Sequence, residues 1–287
     1  MSTQQRIIFI LMVISLVFPS IVFGKVKITV TARCFFGSIV MTKEKFEKKT
    51  GIEVIMNDTC AGLDEGVKSV IEGKSDIGTM ARALTEKEKK AGLVEIPLSV
   101  DGIAVLVNKD NKINEISTED VLNITAGNIR NWKEVGGNDS KILIFTQQCG
   151  ASEEKILESL FKKYGINVDR EYLSKVVVEA DITDTLVQRV EAYKSSIALV
   201  PQMFHTEKVK FLKVDGCLPT RENVLANIIE PEKEKIIKKY PLIRPLNLVV
   251  KGKPKGEVKR FIDFMIGNEG KEIIEKNLSM DWLKEGF

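Results

Sequence analysis

Four cysteines and one histidine are the most reactive side chains of this 287-residue chain. The cysteines are Cys34, Cys60, Cys149 and Cys217, and the histidine is His205. A thiolate can bind a soft metal, form a disulfide or act as a nucleophile beside a histidine base. No two cysteines form a Cys-x-x-Cys pair, and a single histidine excludes a His-Glu-x-x-His zinc site. Any chemistry at the thiols therefore depends on a fold that brings distant residues together.

The composition excludes several classes of protein. Hydrophobic residues make up 44% and charged residues 29%, with 43 Lys and Arg against 40 Asp and Glu. This is typical of a globular chain with one or two cores, and it excludes a disordered, collagenous or polytopic membrane protein. The net charge of +3 is spread along the sequence, so no nucleic-acid partner is indicated. Nucleotide-binding glycine motifs and the Gly-x-Ser-x-Gly hydrolase motif are also absent.

The first 24 residues have the pattern of a secretory signal. Arg6 precedes an apolar run over 7–17, which is too short to span a bilayer of about 30 Å. We expect cleavage near Gly24, since a buried N-terminal helix would usually be amphipathic and this run is apolar all round. No cysteine follows the cleavage site to carry a lipid. The mature chain is therefore expected outside the cytoplasm without membrane insertion, where thiols pair, bind a ligand or oxidise.

Beyond the signal, short β-branched runs alternate with amphipathic stretches, which predicts an α/β fold. Ser117 and Asp120 form a helix-capping pattern. No flexible linker separates two domains, so strands that cross between lobes are expected, and they suggest a hinge. Strands or strand-like apolar runs are predicted at 26–30, 52–56, 93–107, 141–145, 175–178, 196–200, 209–214 and 246–250. Helices are predicted at 39–49, 63–71, 117–124, from Ser152, and at 181–193, 256–266 and 269–276.

Six blocks of sequence are informative as a set. They are VDGIAVLVN at 100–108, ISTEDV at 116–121, AGNIRNWKEVGG at 126–137, and the segments 214–223, 240–246 and 261–264. In this order, over nearly the whole mature chain, they resemble the periplasmic phosphate-binding proteins of ABC importers. Trp132 and Gly136 in the third block are expected to pack and to turn rather than to bind ligand.

The resemblance implies an α/β, two-lobed periplasmic-binding-protein fold of type II, with two crossing strands between the lobes. Lobe 1 would comprise 25–104 plus 208–287, and lobe 2 would comprise 105–207. A small ligand would be held between the lobes at loops and helix N-termini, and the lobes would close on it. The resemblance further implies a periplasmic monomer without enzymatic activity or cofactor. It would deliver its ligand to an ABC permease or report it to a membrane sensor.

The loops that bind ligand in this family differ here. Cys149, Gly150 and Ala151 stand where the family has Ser-Gly-Thr, and Phe145 and Thr146 stand where its arginine would fall. Phosphate binding usually requires hydroxyl and N–H donors with a cation, so these replacements disfavour phosphate.

The other two ligand loops also carry cysteines. Cys60 follows Thr59 in the second loop, and Cys34 precedes Phe35 in the first loop, which spans 33–38. In the segment that resembles Asp-Ile-Gly-x-x-Ser-Arg, Ala81 replaces the hydroxyl or carboxylate and is followed by Arg82. The acidic residues Asp64, Glu65, Glu153 and Glu154 near two helix starts would repel a polyanion. The candidate ligand-binding residues are Cys34, Phe35, Thr59, Cys60, Arg82, Cys149, Gly150 and Ser152.

Three of the four cysteines thus fall on loops that the resemblance brings together. Three thiolates from Cys34, Cys60 and Cys149 would suit a thiophilic metal or metalloid such as Cu(I) or trivalent arsenic. The alternatives are a Cys34–Cys60 disulfide, and an oxyanion such as phosphate held by backbone N–H groups with Thr59, Ser152 and Arg82. A further alternative is a thiol redox protein. Cys217 is expected to be a small buried residue.

Overall fold

The computed structural model describes residues 24–31, 33–59, 64–147, 152–180, 183–202, 206–227 and 239–278, with the backbone alone at 33–35, 147, 152–155, 183 and 278. The strands are β1 (Lys25–Val30), β2 (Glu53–Asp58), β3 (Ile77–Met80), β4 (Leu93–Asn108), β5 (Glu115–Ile116), β6 (Leu143–Gln147), β7 (Val177–Ala180), β8 (Ser196–Pro201), β9 (Val209–Phe211), β10 (Lys213–Val214) and β11 (Ile243–Lys251). The helices are α1 (Arg33–Thr50), α2 (Glu65–Ile71), α3 (Glu86–Lys90), α4 (Thr118–Thr125), α5 (Ser152–Tyr164), α6 (Arg170–Val176), α7 (Thr183–Ala192), α8 (Arg221–Leu225), α9 (Gly256–Ile266) and α10 (Asn268–Leu278), with a 3-10 turn at Trp132–Val135.

A single strand, β4, belongs to both halves of the main sheet. The strand order is β2-β1-β3-β11-β4-β8-β6-β7, with β9 also on β4. Residues 93–102 of β4 pair with β11, and residues 103–108 pair with β8 and β9. Every residue from Val100 to Asn108 is buried, as expected for a central strand covered on both faces. The predicted α/β class and the crossing strand are confirmed.

The strand directions place the C-terminal edges of the two half-sheets opposite each other. Antiparallel pairing of β11 with both β3 and β4 makes β4 parallel to β3, and β3 and β2 are each parallel to β1. β8 is antiparallel to β4 and parallel to β6, which is parallel to β7. Because β4 runs from the first half-sheet into the second, the C-terminal ends of the strands in each half point toward the other half.

The register gives the position of these two edges. Met80, at the end of β3, aligns through Asn247 with Pro97 of β4. Pro201, at the end of β8, lies opposite Ile103. The two edges therefore face each other across residues 97–103 of the crossing strand. In α/β sheets, ligands bind outside the C-terminal ends of the strands.

The first lobe has a core on each side of its half-sheet. Alternate residues of β1 pack with Phe46 of α1 and with Phe261 and Met265 of α9. Phe46 and Phe261 lie with their ring centroids 5.0 Å apart, in the tilted arrangement that aromatic pairs prefer. Helix α2 covers the other face through Val67 and Val70.

The second lobe is built around a separate cluster that includes Trp132. This residue is 1% exposed, and its Nε1–H donates to the Ser195 carbonyl at 2.8 Å. Gly136 has φ +85° in the turn that follows, so both residues have the architectural roles that were expected. Cys217 is buried in the same cluster, as predicted. The Ser117 cap is also confirmed, since its Oγ accepts the Asp120 N–H at 3.0 Å.

The packing also bears on the lobe boundary, which the sequence analysis placed at 208. β9 pairs with the second half of β4, and Leu212, Val224 and Tyr240 lie in the second-lobe cluster. We therefore propose that residues 209–227 and 239–242 belong to lobe 2. The chain then returns to lobe 1 where Leu242 accepts the Ile103 N–H and β11 begins.

Several element boundaries differ from the sequence-based predictions. Helix α1 begins at Arg33 rather than residue 39, so the predicted first ligand loop is wrong in its conformation. Residues 175–176 end α6 rather than begin a strand, and the strand expected over 209–214 is divided at Leu212. β3 was not predicted, because its four residues are all buried and show no alternation.

No helix within the described ranges is long and apolar enough to cross a bilayer.

Candidate functional site

Each cysteine of the predicted ligand site follows a strand that ends at one of the two facing edges. Helix α1 begins three residues after β1, which puts Cys34 in its first turn together with Phe35. Cys60 follows the end of β2 by two residues, and Cys149 follows the end of β6 by two residues. Cys60, Cys149 and Gly150 lie outside the described residues, as does His205. The ligand role of all these residues stays a prediction.

Helix α5 begins at Ser152, as predicted, directly after the segment that carries Cys149. Helix α5 has 13 residues and α1 has 18, and each begins shortly after a strand that ends at a facing edge. The first backbone N–H groups of a helix have no partner within that helix and favour a negative ligand. Helices α1 and α5 thus supply backbone donors near the facing edges.

Two threonines join the ends of β1 and β3. The backbone N–H of Thr31 donates to Thr79 Oγ1 at 3.1 Å, and Thr31 Oγ1 donates to the Thr79 carbonyl at 3.0 Å. Both side chains are buried, so their hydroxyls support the edge rather than face a ligand. Thr59, which was predicted to bind ligand, is half-buried, and its N–H donates to the Val30 carbonyl.

Arg82 forms a charged fork with two carboxylates. Its Nε and Nη2 donate to Asp64 Oδ1 at 3.0 and 2.7 Å, and Nη1 and Nη2 donate to Glu88 at 2.9 and 2.7 Å. Hydrogen bonding to Glu88, followed by that to Asp64, raises the pKa of the guanidinium despite its burial. Because both neighbouring carboxylates already neutralise it, Arg82 adds no net positive charge for an anion.

The pKa of Glu88 makes the contribution of this fork to the free energy of unfolding depend on pH. Hydrogen bonds from Arg82 first, and then from the backbone and hydroxyl of Thr85, lower its pKa from 4.5 to about 2. A carboxylate with a depressed folded-state pKa stabilises the protein above the unfolded-state value, and this stabilisation is lost as the pH falls. We expect Glu88→Gln to lower the free energy of unfolding at pH 7, and its difference from wild type to shrink between about pH 4.5 and 2.

Urea unfolding at several pH values checks this expectation. Glu86→Gln is the matched control, because that side chain is 78% exposed beside Lys89 and precedes Glu88 in the same helix. A stability difference for Glu88→Gln that stayed constant down to pH 2 would contradict the assigned role of the fork.

On the second lobe, the residue that the resemblance aligns with an arginine is in the core. Phe145 is 5% exposed, and its ring centroid lies 5.7 Å from that of Tyr193. It packs with Leu186 and Val190 of α7. The neighbouring Thr146 is half-buried. This position therefore contributes no cation to the cleft.

A buried ion pair lies between the two edges, on the crossing strands. Arg244 of β11 and Asp101 of β4 are paired in register, and each side chain is 1% exposed. Arg244 Nε and Nη2 donate to Asp101 Oδ2 at 2.9 and 2.6 Å. Arg221 of α8 lies alongside, where its two Nη groups donate to Ser99 Oγ and the Val100 carbonyl. The ion pair thus ties β4 to β11 between the two half-sheets.

This ion pair was not predicted from the sequence, although a signal was present. Asp101 interrupts an apolar run of β4, and Arg244 precedes a proline at the start of β11. A charged residue within a buried strand is almost always paired, so each one predicts a partner.

Within the described part of the chain, no group of three or more His, Cys, Asp or Glu side chains could hold a metal ion. This absence does not extend to the predicted group of Cys34, Cys60 and Cys149. Cys60 and Cys149 lie outside that part, and the Cys34 side chain is not described.

Comparison with known proteins agrees with this architecture. The family description "PBP superfamily domain" matches residues 24–269. Phosphate-binding protein PstS of Bacillus subtilis is 27% identical over 223 residues, which cover 77% of this chain and 67% of the relative. Phosphate-binding protein PstS of Borreliella burgdorferi is 24% identical over 225 residues, or 75% of each chain.

Solved structures extend the similarity to the fold. A phosphate ABC transporter substrate-binding protein with bound phosphate from Clostridium perfringens has a TM-score of 0.72 and 28% identity, over 89% of this chain and 98% of that one. The structure of an ABC-type phosphate transport receptor from Vibrio cholerae has the same TM-score, over 88% of this chain and 98% of that one. Its sequence identity is 23%, so the similarity shows the fold only. The expected two-lobed type II arrangement is confirmed.

Proposed function

Because this chain belongs to the PBP superfamily, we propose that it is an extracytoplasmic solute-binding protein rather than an enzyme. It would hold a small ligand between its lobes and present it to an ABC permease, or report it to a membrane sensor. The observation that carries this proposal is the continuous strand β4, along which the C-terminal edges of both half-sheets face each other. This arrangement allows the lobes to close on a ligand about a hinge at residues 97–103.

The same proposal includes export and the removal of the first 24 residues. β1 begins at Lys25, directly after the expected cleavage site, so no described strand would be cut. The mature protein would be a periplasmic monomer.

For the ligand, we propose a thiophilic species such as arsenite or Cu(I), bound by Cys34, Cys60 and Cys149. Two features of the described residues support a ligand other than phosphate. Phe145 is buried in the core where the family resemblance places an arginine, and Arg82 is already paired with two carboxylates. A phosphate dianion would lack the cation that usually compensates its charge on entering a cleft.

Phosphate or another oxyanion remains the second candidate. It is favoured by the N-termini of α1 and α5 at the facing edges and by the similarity to a structure with bound phosphate. Backbone N–H groups with Thr59 and Ser152 would then supply the donors.

Calorimetry on reduced protein under anaerobic conditions separates the two ligands. We expect arsenite to bind and each of Cys34→Ser, Cys60→Ser and Cys149→Ser to weaken it by at least about tenfold, since even loss of an outer-shell partner costs about 10–100-fold in metal affinity. Cys217→Ala is the matched control, because this thiol is buried in the core and should leave affinity unchanged.

Three results would change the assignment. Tight phosphate binding that survives alkylation of the three thiols would replace the thiophilic ligand by an oxyanion. Two or fewer titratable thiols in native protein would indicate a disulfide, and reversible oxidation without ligand binding would indicate a redox protein. Failure to bind any small solute would contradict the solute-binding function itself.

A further inference from the structure

A cavity of about 460 Å³ lies in the second lobe, beneath helix α5. Its floor is formed by Ile144 and Ile197 in the strands of the half-sheet, and its walls by Phe161 of α5 and Leu173 of α6. Ile144 and Ile197 pair directly in the register, and each is the second residue of its strand, away from the C-terminal end. The cavity therefore extends under the helix, behind the edge that faces the other lobe.

The lining is mostly apolar and opens to solvent at a polar rim. The rim includes the exposed side chains of Glu158, Arg170 and Ser174. An opening of this kind lets a molecule enter from solvent without unfolding of the lobe. A half-enclosed apolar cavity of roughly 300–1,000 Å³ with a few polar groups is the usual form of a small-molecule site.

Several polar side chains that line the cavity already have partners. Arg170 Nη2 lies 3.5 Å from Glu158 Oε1, and Ser174 Oγ donates to the Glu171 carbonyl at 2.8 Å. Thr125 Oγ1, on the wall, donates to the Val121 carbonyl at 2.9 Å. A charged ligand would compete with the exposed Arg170–Glu158 pair and would meet the exposed carboxylate of Glu179, whereas a neutral ligand would leave all these contacts in place. The rim thus favours a molecule without charge.

The volume indicates the size of that molecule. An apolar cavity of about 150 Å³ binds benzene, and 460 Å³ is about three times that volume. We propose that this cavity is a second binding site, separate from the cleft between the lobes, for a neutral, largely apolar molecule of two or three rings. Burial of its apolar surface drives binding, and the isoleucine floor and the phenylalanine wall supply the contacts.

N-phenyl-1-naphthylamine is a suitable probe, because it is neutral and its fluorescence rises in an apolar environment. Titrated into the full chain, it should give saturable enhancement. Val177→Trp places an indole in the cavity and should weaken this binding by about tenfold or more, equivalent to about 1.4 kcal/mol. Val178→Trp is the matched control, since the next residue of the strand points to the opposite face and is 43% exposed.

A second variant covers the case in which Val177→Trp does not fold. Ser174→Trp fills the same cavity from an exposed position on α6, and circular dichroism verifies the fold of each variant. Loss of probe binding in Ser174→Trp or Val177→Trp but not in Val178→Trp supports the site. Absence of saturable enhancement in the wild type, or unchanged binding in every folded cavity variant, would overturn it.

Discussion

Replacing Arg244 with methionine is expected to destabilise the protein by about 3–5 kcal/mol, since it would leave the buried Asp101 carboxylate without its arginine. Both side chains are 1% exposed, so water cannot solvate the remaining carboxylate, and Arg221 nearby is already bonded to Ser99 and to the Val100 carbonyl. Because the pair joins the two crossing strands, the loss affects the connection between the lobes. Urea unfolding at pH 7 measures the change.

Two further variants make this test specific. Lys25→Met removes one partner of a pair with Glu53 in which both side chains are more than half exposed, and it should alter stability little. Combining Asp101→Asn with Arg244→Met removes the buried carboxylate as well and should recover part of the loss. If Arg244→Met were no more destabilising than Lys25→Met, the ion pair would not hold the hinge.

Alanine at Gly78 is expected to cost about 1–3 kcal/mol or more, because there is no space for a Cβ atom. A Cβ there would lie 2.2 Å from the carbonyl oxygen of Gly66, and one on Gly66 would lie 2.3 Å from that of Thr79. These are backbone atoms, so helix α2 would have to move away from β3. Such a movement would shift the start of α2, which follows the segment that carries Cys60. Thermal and urea unfolding, together with ligand calorimetry, measure both effects.

Gly37→Ala is the control, and its expected effect on stability has the opposite sign. This glycine lies inside helix α1, and its nearest potential contact is the flexible side chain of Asn277 at 3.3 Å. Alanine is favoured over glycine in a helix by about 1 kcal/mol, so we expect unchanged or increased stability. Equal destabilisation by Gly37→Ala and Gly78→Ala would mean that close packing of α2 on β3 is not the cause.

The sequence by itself determined the α/β class, most strands and the family resemblance. These features follow from local periodicity and from ordered blocks such as 126–137, which need no knowledge of distant contacts. The Ser117 cap and the buried Trp132 and Cys217 could be predicted for the same reason, because a capping pattern and an apolar environment are visible in neighbouring residues.

The tertiary structure alone decided which distant residues meet. The Asp101–Arg244 pair joins residues 143 positions apart, and the Arg82 fork joins residues 18 and 6 positions apart. Strand β3 was missed because its four buried residues carry no alternation, and the start of α1 at Arg33 was missed as well. The lobe boundary near 242 likewise depends on β9 pairing with β4, a contact between strands about a hundred residues apart. Local sequence patterns report on periodicity and capping, whereas charge pairing and lobe membership are properties of chain segments that only folding brings into contact.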